Sequence, residues 1–163
     1  MKVAKHLASA IFMFAIFTSE STADEPSSQH RPPIEMQLKI SHKEQGVVLL
    51  EIELSYVSAV PITIYESSLP WRMQRSLLLS AICMDTRRLP LDELQQLENP
   101  TPTTVLLKDG SKLHGSIDLS DRFPKLRKCL AGHDAILFWS YQPKAIDAAA
   151  GPRIGGFVEV GRN

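Results

Sequence analysis

Between Ile34 and Val57 apolar and polar residues alternate almost one for one, and this period of two constrains the fold more than any other feature of the chain. Successive side chains of a strand point to opposite faces, so such a pattern builds a sheet with one buried side. Over residues 34–41, Ile34, Met36, Leu38 and Ile40 share one face while Glu35, Gln37 and Lys39 take the other. Residues 47–57 repeat the device, with Leu50, Ile52, Leu54 and Tyr56 opposed to Glu51, Glu53 and Ser55. The intervening HKEQG (residues 42–46) supplies the polar and glycine residues of a turn, which predicts a hairpin.

Shorter strands follow. Residues 61–66 begin with Pro61, which suits the start or edge of a strand because proline cannot donate to a ladder. The run SLLLSAICM (76–84) is β-compatible and apolar enough for a strand buried on both faces, with a helix as the alternative. Residues 89–102 read as a proline-bounded connection with one helical turn through Leu91, Leu94 and Leu97. Strands at 103–108 and 112–119 are joined by the turn dipeptide Asp109-Gly110. Residues 120–130 break the β pattern: Ser120 or Asp121 can cap, Pro124 suits a first turn, and Phe123, Leu126 and Leu130 share a helical side. A strand at 134–142, where Ile136 and Phe138 alternate with Leu137 and Trp139, precedes a last strand at 154–160. In that last strand Gly155-Gly156 predicts a bulge or a close backbone approach.

Seven or eight short strands with almost no helix predict an all-β fold. The expected form is a two-sheet antiparallel β-sandwich with a short helical turn before the penultimate strand. The order of strand, helical crossing, aromatic strand, hairpin and last strand resembles the end of immunoglobulin-like domains, over residues 34–160 in outline. The Cys…Trp…Cys spacing of antibody domains is absent, and Cys129 precedes the aromatic strand. The chain also looks like small exported bacterial β-proteins of no assigned function, a likeness that implies no chemistry.

The N-terminus is of another kind. Lys2 and Lys5 precede an uncharged run (residues 7–17), and Ser21-Thr22-Ala23 places small residues ahead of Asp24. This predicts a cleaved signal peptide over residues 1–23, since a membrane span needs about 20 apolar residues. The Pro-containing stretch 24–33 then reads as a flexible leader and 34–163 as a single domain. The protein is expected in the periplasm or secreted, with no stable membrane anchor after cleavage. Two cysteines in an exported chain predict the disulfide Cys83–Cys129. It closes a loop of about 47 residues and contributes about 4 kcal/mol on the chain-entropy estimate.

Charge and composition exclude several functions. With 18 basic against 18 acidic residues and 44% hydrophobic content, neither a disordered chain nor a polybasic nucleic-acid binder is expected. No GxSxG or SxxK occurs, and His30, His42, His114 and His133 lie in no catalytic motif. Glu51 and Glu53 sit two apart on one solvent-facing strand surface, whereas a glycosidase pair faces across a cleft. Scattered His and Met give no HxH, HxxxH or MxxM pair, so no metal or other cofactor is assigned, and no enzyme is expected.

Two constellations remain. The loop through Leu69, Trp71, Arg72 and Arg75 carries a large aromatic among arginines, a composition common at interface hot spots. The other reading is that Leu69 and Trp71 cover an open end of the core. The second constellation is Arg122, Lys125, Arg127 and Lys128, which either faces an acidic partner or pairs with Asp118, Asp121 and Asp134 nearby. The function these features suggest is an exported, non-catalytic protein-binding module, of which an inhibitor or immunity-type protein is one form. A periplasmic carrier of a small ligand or copper is the rival.

Overall fold

Strand β1 (Ile34–His42) and strand β2 (Val48–Tyr56) form the opening hairpin, in register from Ile34 opposite Tyr56 to His42 opposite Val48. This is a computed structural model, and it describes residues 33–95, 102–146 and 151–162. The predicted signal peptide and all of the leader but Pro33 lie outside the described residues. In β2 the alternation is complete: Val48, Leu50, Ile52, Leu54 and Tyr56 are all buried, and the residues between them are not. A single 3-10 turn (Glu44–Gly46) joins the two strands. Strand β3 (Ile62–Tyr65), strand β4 (Leu77–Cys83), strand β5 (Thr104–Leu107) and strand β6 (Lys112–Asp118) follow, and β6 lies antiparallel to β2.

Two short helices, α1 (Leu119–Arg122) and α2 (Leu126–Leu130), lead to strand β7 (Ala135–Tyr141) and strand β8 (Ile154–Val160). The fold is all-β, with antiparallel sheets ordered β1-β2-β6, β3-β5 and β4-β7-β8. Their inward residues and the apolar side of both helices share one core, in which Tyr56, Tyr141 and Phe123 are the largest fully buried side chains. Among the described residues no helix is long and apolar enough to cross a membrane.

The Asp109-Gly110 turn forms, with Gly110 at φ +76°, a left-handed conformation that glycine adopts without steric cost. It does not close a hairpin, however, because β5 pairs with β3 and β6 with β2. The turn instead passes the chain between sheets and is held by the end of β2: Tyr56 N–H donates to Ser111 O (2.9 Å) and Gly110 N–H to Tyr56 O (3.0 Å).

Strand β4 is a strand, but it is buried on one face only. Leu77, Leu79, Ala81 and Cys83 point inward, while Leu78 is 51% exposed. The helical turn expected around Leu91 and Leu94 is absent over residues 91–95, and Leu97 lies outside the described residues. The amides that a helix would use are bound elsewhere: Leu91 N–H donates to Ala81 O (2.7 Å), covering the edge of β4, and Leu94 N–H donates to Arg122 O (2.9 Å).

The cap of α1 is Asp118, which accepts from Ser120 N–H (2.8 Å) and Asp121 N–H (3.2 Å). It falls earlier than Ser120 or Asp121 because Leu119 is drawn fully into the core. The Ser120 hydroxyl accepts instead from Val48 N–H (2.9 Å) and so ties α1 to the start of β2. Gly155 and Gly156 form no bulge, since the β7–β8 ladder runs through them unbroken. They are close-approach positions: a Cβ at Gly155 would lie 2.8 Å from the Trp139 carbonyl, and one at Gly156 would lie 3.3 Å from its indole nitrogen. The disulfide joins Cys83, at the end of β4, to Cys129 in α2, with Cα atoms 5.8 Å apart.

Candidate docking surface

The loop after β3 scatters the residues that its sequence groups together. Leu69 is 4% exposed and belongs to the core, so it offers no surface to a partner. Its neighbour Pro70 is buried as well, and the two anchor the loop. Trp71 is half-buried, packed against the core, and lies flat over Gly115 of β6; a Cβ at Gly115 would sit 2.0 Å from Cδ2 of the indole. Arg72 is ion-paired with Glu66, whose carboxylate also accepts from the Thr103 hydroxyl (2.8 Å). Arg75 is exposed and, unlike Arg72, makes no side-chain hydrogen bond or ion pair with a described residue.

The basic patch is not a patch. Arg122 is 5% exposed and acts as an internal clamp. Its guanidinium donates to Glu93 Oε1 (2.5 Å), Gln74 O (3.0 Å) and Leu77 O (2.8 Å), tying α1 to the loop and to the start of β4. The Lys125 ammonium is paired with Asp92. Two of the expected partners are occupied elsewhere, Asp118 capping α1 and Asp134 accepting from Arg162 N–H (2.8 Å), and Asp121 is exposed and forms no ion pair with a described residue. Arg127 and Lys128 are exposed, with Arg127 beside Gly46 of the first hairpin turn. Sequence proximity misled here because the carboxylates come from residues 92 and 93, about thirty positions earlier in the chain.

A different surface emerges on the outer face of the β4-β7-β8 sheet. Leu78, Phe138 and Phe157 point outward and are 51%, 43% and 65% exposed. Phe138 and Phe157 are direct cross-strand partners with ring centroids 6.3 Å apart. Leu78 pairs with Ser140, and both line a groove of about 480 Å³ at the end of this sheet. Arg75, Lys144 and Arg153 lie around that groove, and no Asp or Glu is among the described residues that line it. Arg153 is oriented by donating to the Ser140 hydroxyl (3.1 Å) and Gln142 Oε1 (3.4 Å). Lys144, like Arg75, makes no side-chain hydrogen bond or ion pair with a described residue.

The sequence carried the signal for this face. Once Leu137 and Tyr141 are assigned inward, Phe138 must face outward, and an outward Phe on a strand that is otherwise apolar is conspicuous.

Glu53 accepts from Lys112 Nζ (2.8 Å), which is the main cause holding its carboxyl below the usual range; the same contact raises Lys112. Glu51 accepts from the Ser41 hydroxyl (2.8 Å), so the two carboxylates serve separate cross-strand contacts on the solvent face of the first sheet. Among the described residues no group of three or more His, Cys, Asp or Glu is gathered that could hold a metal ion. No known family model matches the chain, and a comparison with curated proteins finds no match.

Proposed function

We propose that this protein is an exported, non-catalytic protein-binding module of immunoglobulin-like sandwich type. It would work in the periplasm or outside the cell, with the outer face of the β4-β7-β8 sheet as its docking surface. The observation that carries this reading is the Phe138–Phe157 pair, two large aromatics side by side on a sheet face and open to solvent. Contiguous exposed apolar surface is costly in a soluble monomer and marks interaction sites, and rigid aromatics are the usual anchors of such sites. Their placement on strands fixes both rings before a partner arrives, which lowers the ordering cost of binding. The disulfide supports export, because oxidising compartments are where such bridges persist. N-terminal sequencing of the exported protein tests that half of the reading: a start at or near Asp24 is expected, and a start at Met1 refutes it.

The docking half is tested with F138T/F157T. Both positions are exposed, so the melting temperature should change little, since a cross-strand aromatic pair contributes roughly 0.2–1 kcal/mol. Affinity capture from the protein's own cell envelope should lose its bound protein by about thirtyfold, the effect of truncating one good hot spot. Equal recovery by the variant and the parent would refute the assignment of this face.

A further inference from the structure

We infer that the groove beside the aromatic pair is a subsite for carboxylate side chains, and that the partner docks through an acidic segment carrying apolar residues. The inference rests on the docking face proposed above and adds the chemistry of what it binds. Three cations, Arg75, Lys144 and Arg153, come from three places in the chain: the loop before β4, the segment after β7 and the residue just before β8. Convergence from such distant positions is not a charge run in sequence, and the near-neutral net charge of the chain gives no hint of it.

Three exposed cations elsewhere meet carboxylates, Arg72 with Glu66, Lys112 with Glu53 and Lys125 with Asp92, while others such as Arg127 and Lys128 stand apart on the surface. The three around the groove have no carboxylate partner among the described residues, and they converge on one groove, which concentrates their positive potential there. Arg153 is held by Ser140 and Gln142, which aims its fork without neutralising its charge. Ser67 and Ser140 on the groove wall add hydroxyl groups suited to carboxylate oxygens, while the Ser76 hydroxyl donates to Ser67 O (2.6 Å).

The occupant must also satisfy the apolar half of the site. Leu78 lines the groove and belongs to the same sheet face as Phe138 and Phe157, so the cationic and aromatic parts form one continuous surface. A free inorganic anion would use only the first part. A peptide segment that alternates Asp or Glu with Leu or Phe would use both, placing its carboxylates at the groove and its apolar side chains on the rings. Electrostatic complementarity of this kind steers encounter and selects the partner more than it sets raw affinity.

The test uses the exported protein and two labelled pools of short peptides, one built from Asp, Glu, Leu and Phe and the other with Asn and Gln replacing the acids. Fluorescence anisotropy at low salt should show the acidic pool binding about tenfold more tightly than its amide twin, with the difference shrinking as salt is added. R75E/K144E changes two exposed residues and should abolish the preference while leaving the melting curve unchanged. F138T/F157T should weaken both pools alike. Three results would overturn the inference: equal binding of the two pools, no binding of the acidic pool, or displacement of that pool by equimolar inorganic phosphate. None of these would remove the docking face itself, which stands or falls on the capture experiment with F138T/F157T.

Discussion

Replacing Gly115 by alanine should destabilise the protein, although alanine is the better strand residue. Glycine in a strand interior costs roughly 0.5–1 kcal/mol relative to alanine, so propensity alone predicts a gain. The structure predicts the opposite sign. A Cβ at position 115 would lie 2.0 Å from Cδ2, 2.2 Å from Cγ and 2.5 Å from Cε2 of Trp71. These are atoms at the root and fusion of the indole, not the tip of a flexible chain, so the ring must leave its place. The backbone cannot yield instead, because Gly115 is held in ladder register opposite Ile52 of β2. Emptying a fully buried aromatic site costs about 3–5 kcal/mol, and a half-buried indole should forfeit about half of that. Set against the propensity gain, G115A should cost about 1.5 kcal/mol and W71A about 2 kcal/mol. In the W71A background G115A should instead stabilise by about 0.5 kcal/mol, so the two changes couple strongly. Urea unfolding followed by far-UV circular dichroism measures all four proteins without relying on the tryptophan signal. If G115A is neutral or stabilising in the parent, or costs the same in both backgrounds, the packing of Trp71 on Gly115 is wrong.

The two buried tyrosines make a second, paired prediction. Tyr56 Oη donates to Val60 O, so Y56F should cost about 1 kcal/mol, whereas Tyr141 Oη has no partner among the described residues and Y141F should be neutral or stabilise by about 1 kcal/mol. Burial pushes the Tyr141 phenol above its ordinary value, so the folded state holds this proton after the unfolded state has lost it. Stability should therefore fall as pH rises above about 10, and Y141F should reduce that fall in urea melts between about pH 9 and about pH 11. Removing the bridge by C83A/C129A should cost about 4 kcal/mol on the chain-entropy estimate, and thiol titration of the unreduced, denatured parent should find no reactive thiol. R122M removes the donor to the carbonyls of Gln74 and Leu77 and the cation facing Glu93, and it should cost about 3 kcal/mol because Glu93 keeps the Gln74 amide (2.8 Å) and some access to water; a loss under about 1 kcal/mol would contradict the clamp.

What could be read from the sequence was whatever is encoded by local period. The β1–β2 hairpin, the strand at β7 and the last strand follow from alternation, and the cysteine pair follows from number and the expected export. The connection at Asp109-Gly110 shows the limit: the dipeptide specifies a turn, but the sheet each flanking strand joins depends on Tyr56, more than fifty residues earlier. The site was harder to read for the same reason. For Leu69 and Trp71 the sequence offers both an exposed loop and a cover over the core, and only β6, by supplying Gly115 as the floor beneath the indole, decides for the cover. Arg122 looks like a surface cation until residues 74, 77 and 93 converge on it. Of the residues the sequence marked, Arg75 lines the groove, and its companions Lys144 and Arg153 stand in segments that carry no motif. Phe138 and Phe157 were legible in phase, because their inward neighbours are fixed by the core, but their pairing required the β7–β8 register.

The docking face is tested most directly by site-specific photo-crosslinking in the native compartment. A photoreactive residue replaces Phe157 on the outer face of the third sheet in one protein and Gln37 on the solvent face of the first sheet in another. A discrete adduct with another protein is expected from position 157 and none from position 37. Adducts from both positions, from position 37 alone, or from neither would contradict the assignment of the docking face.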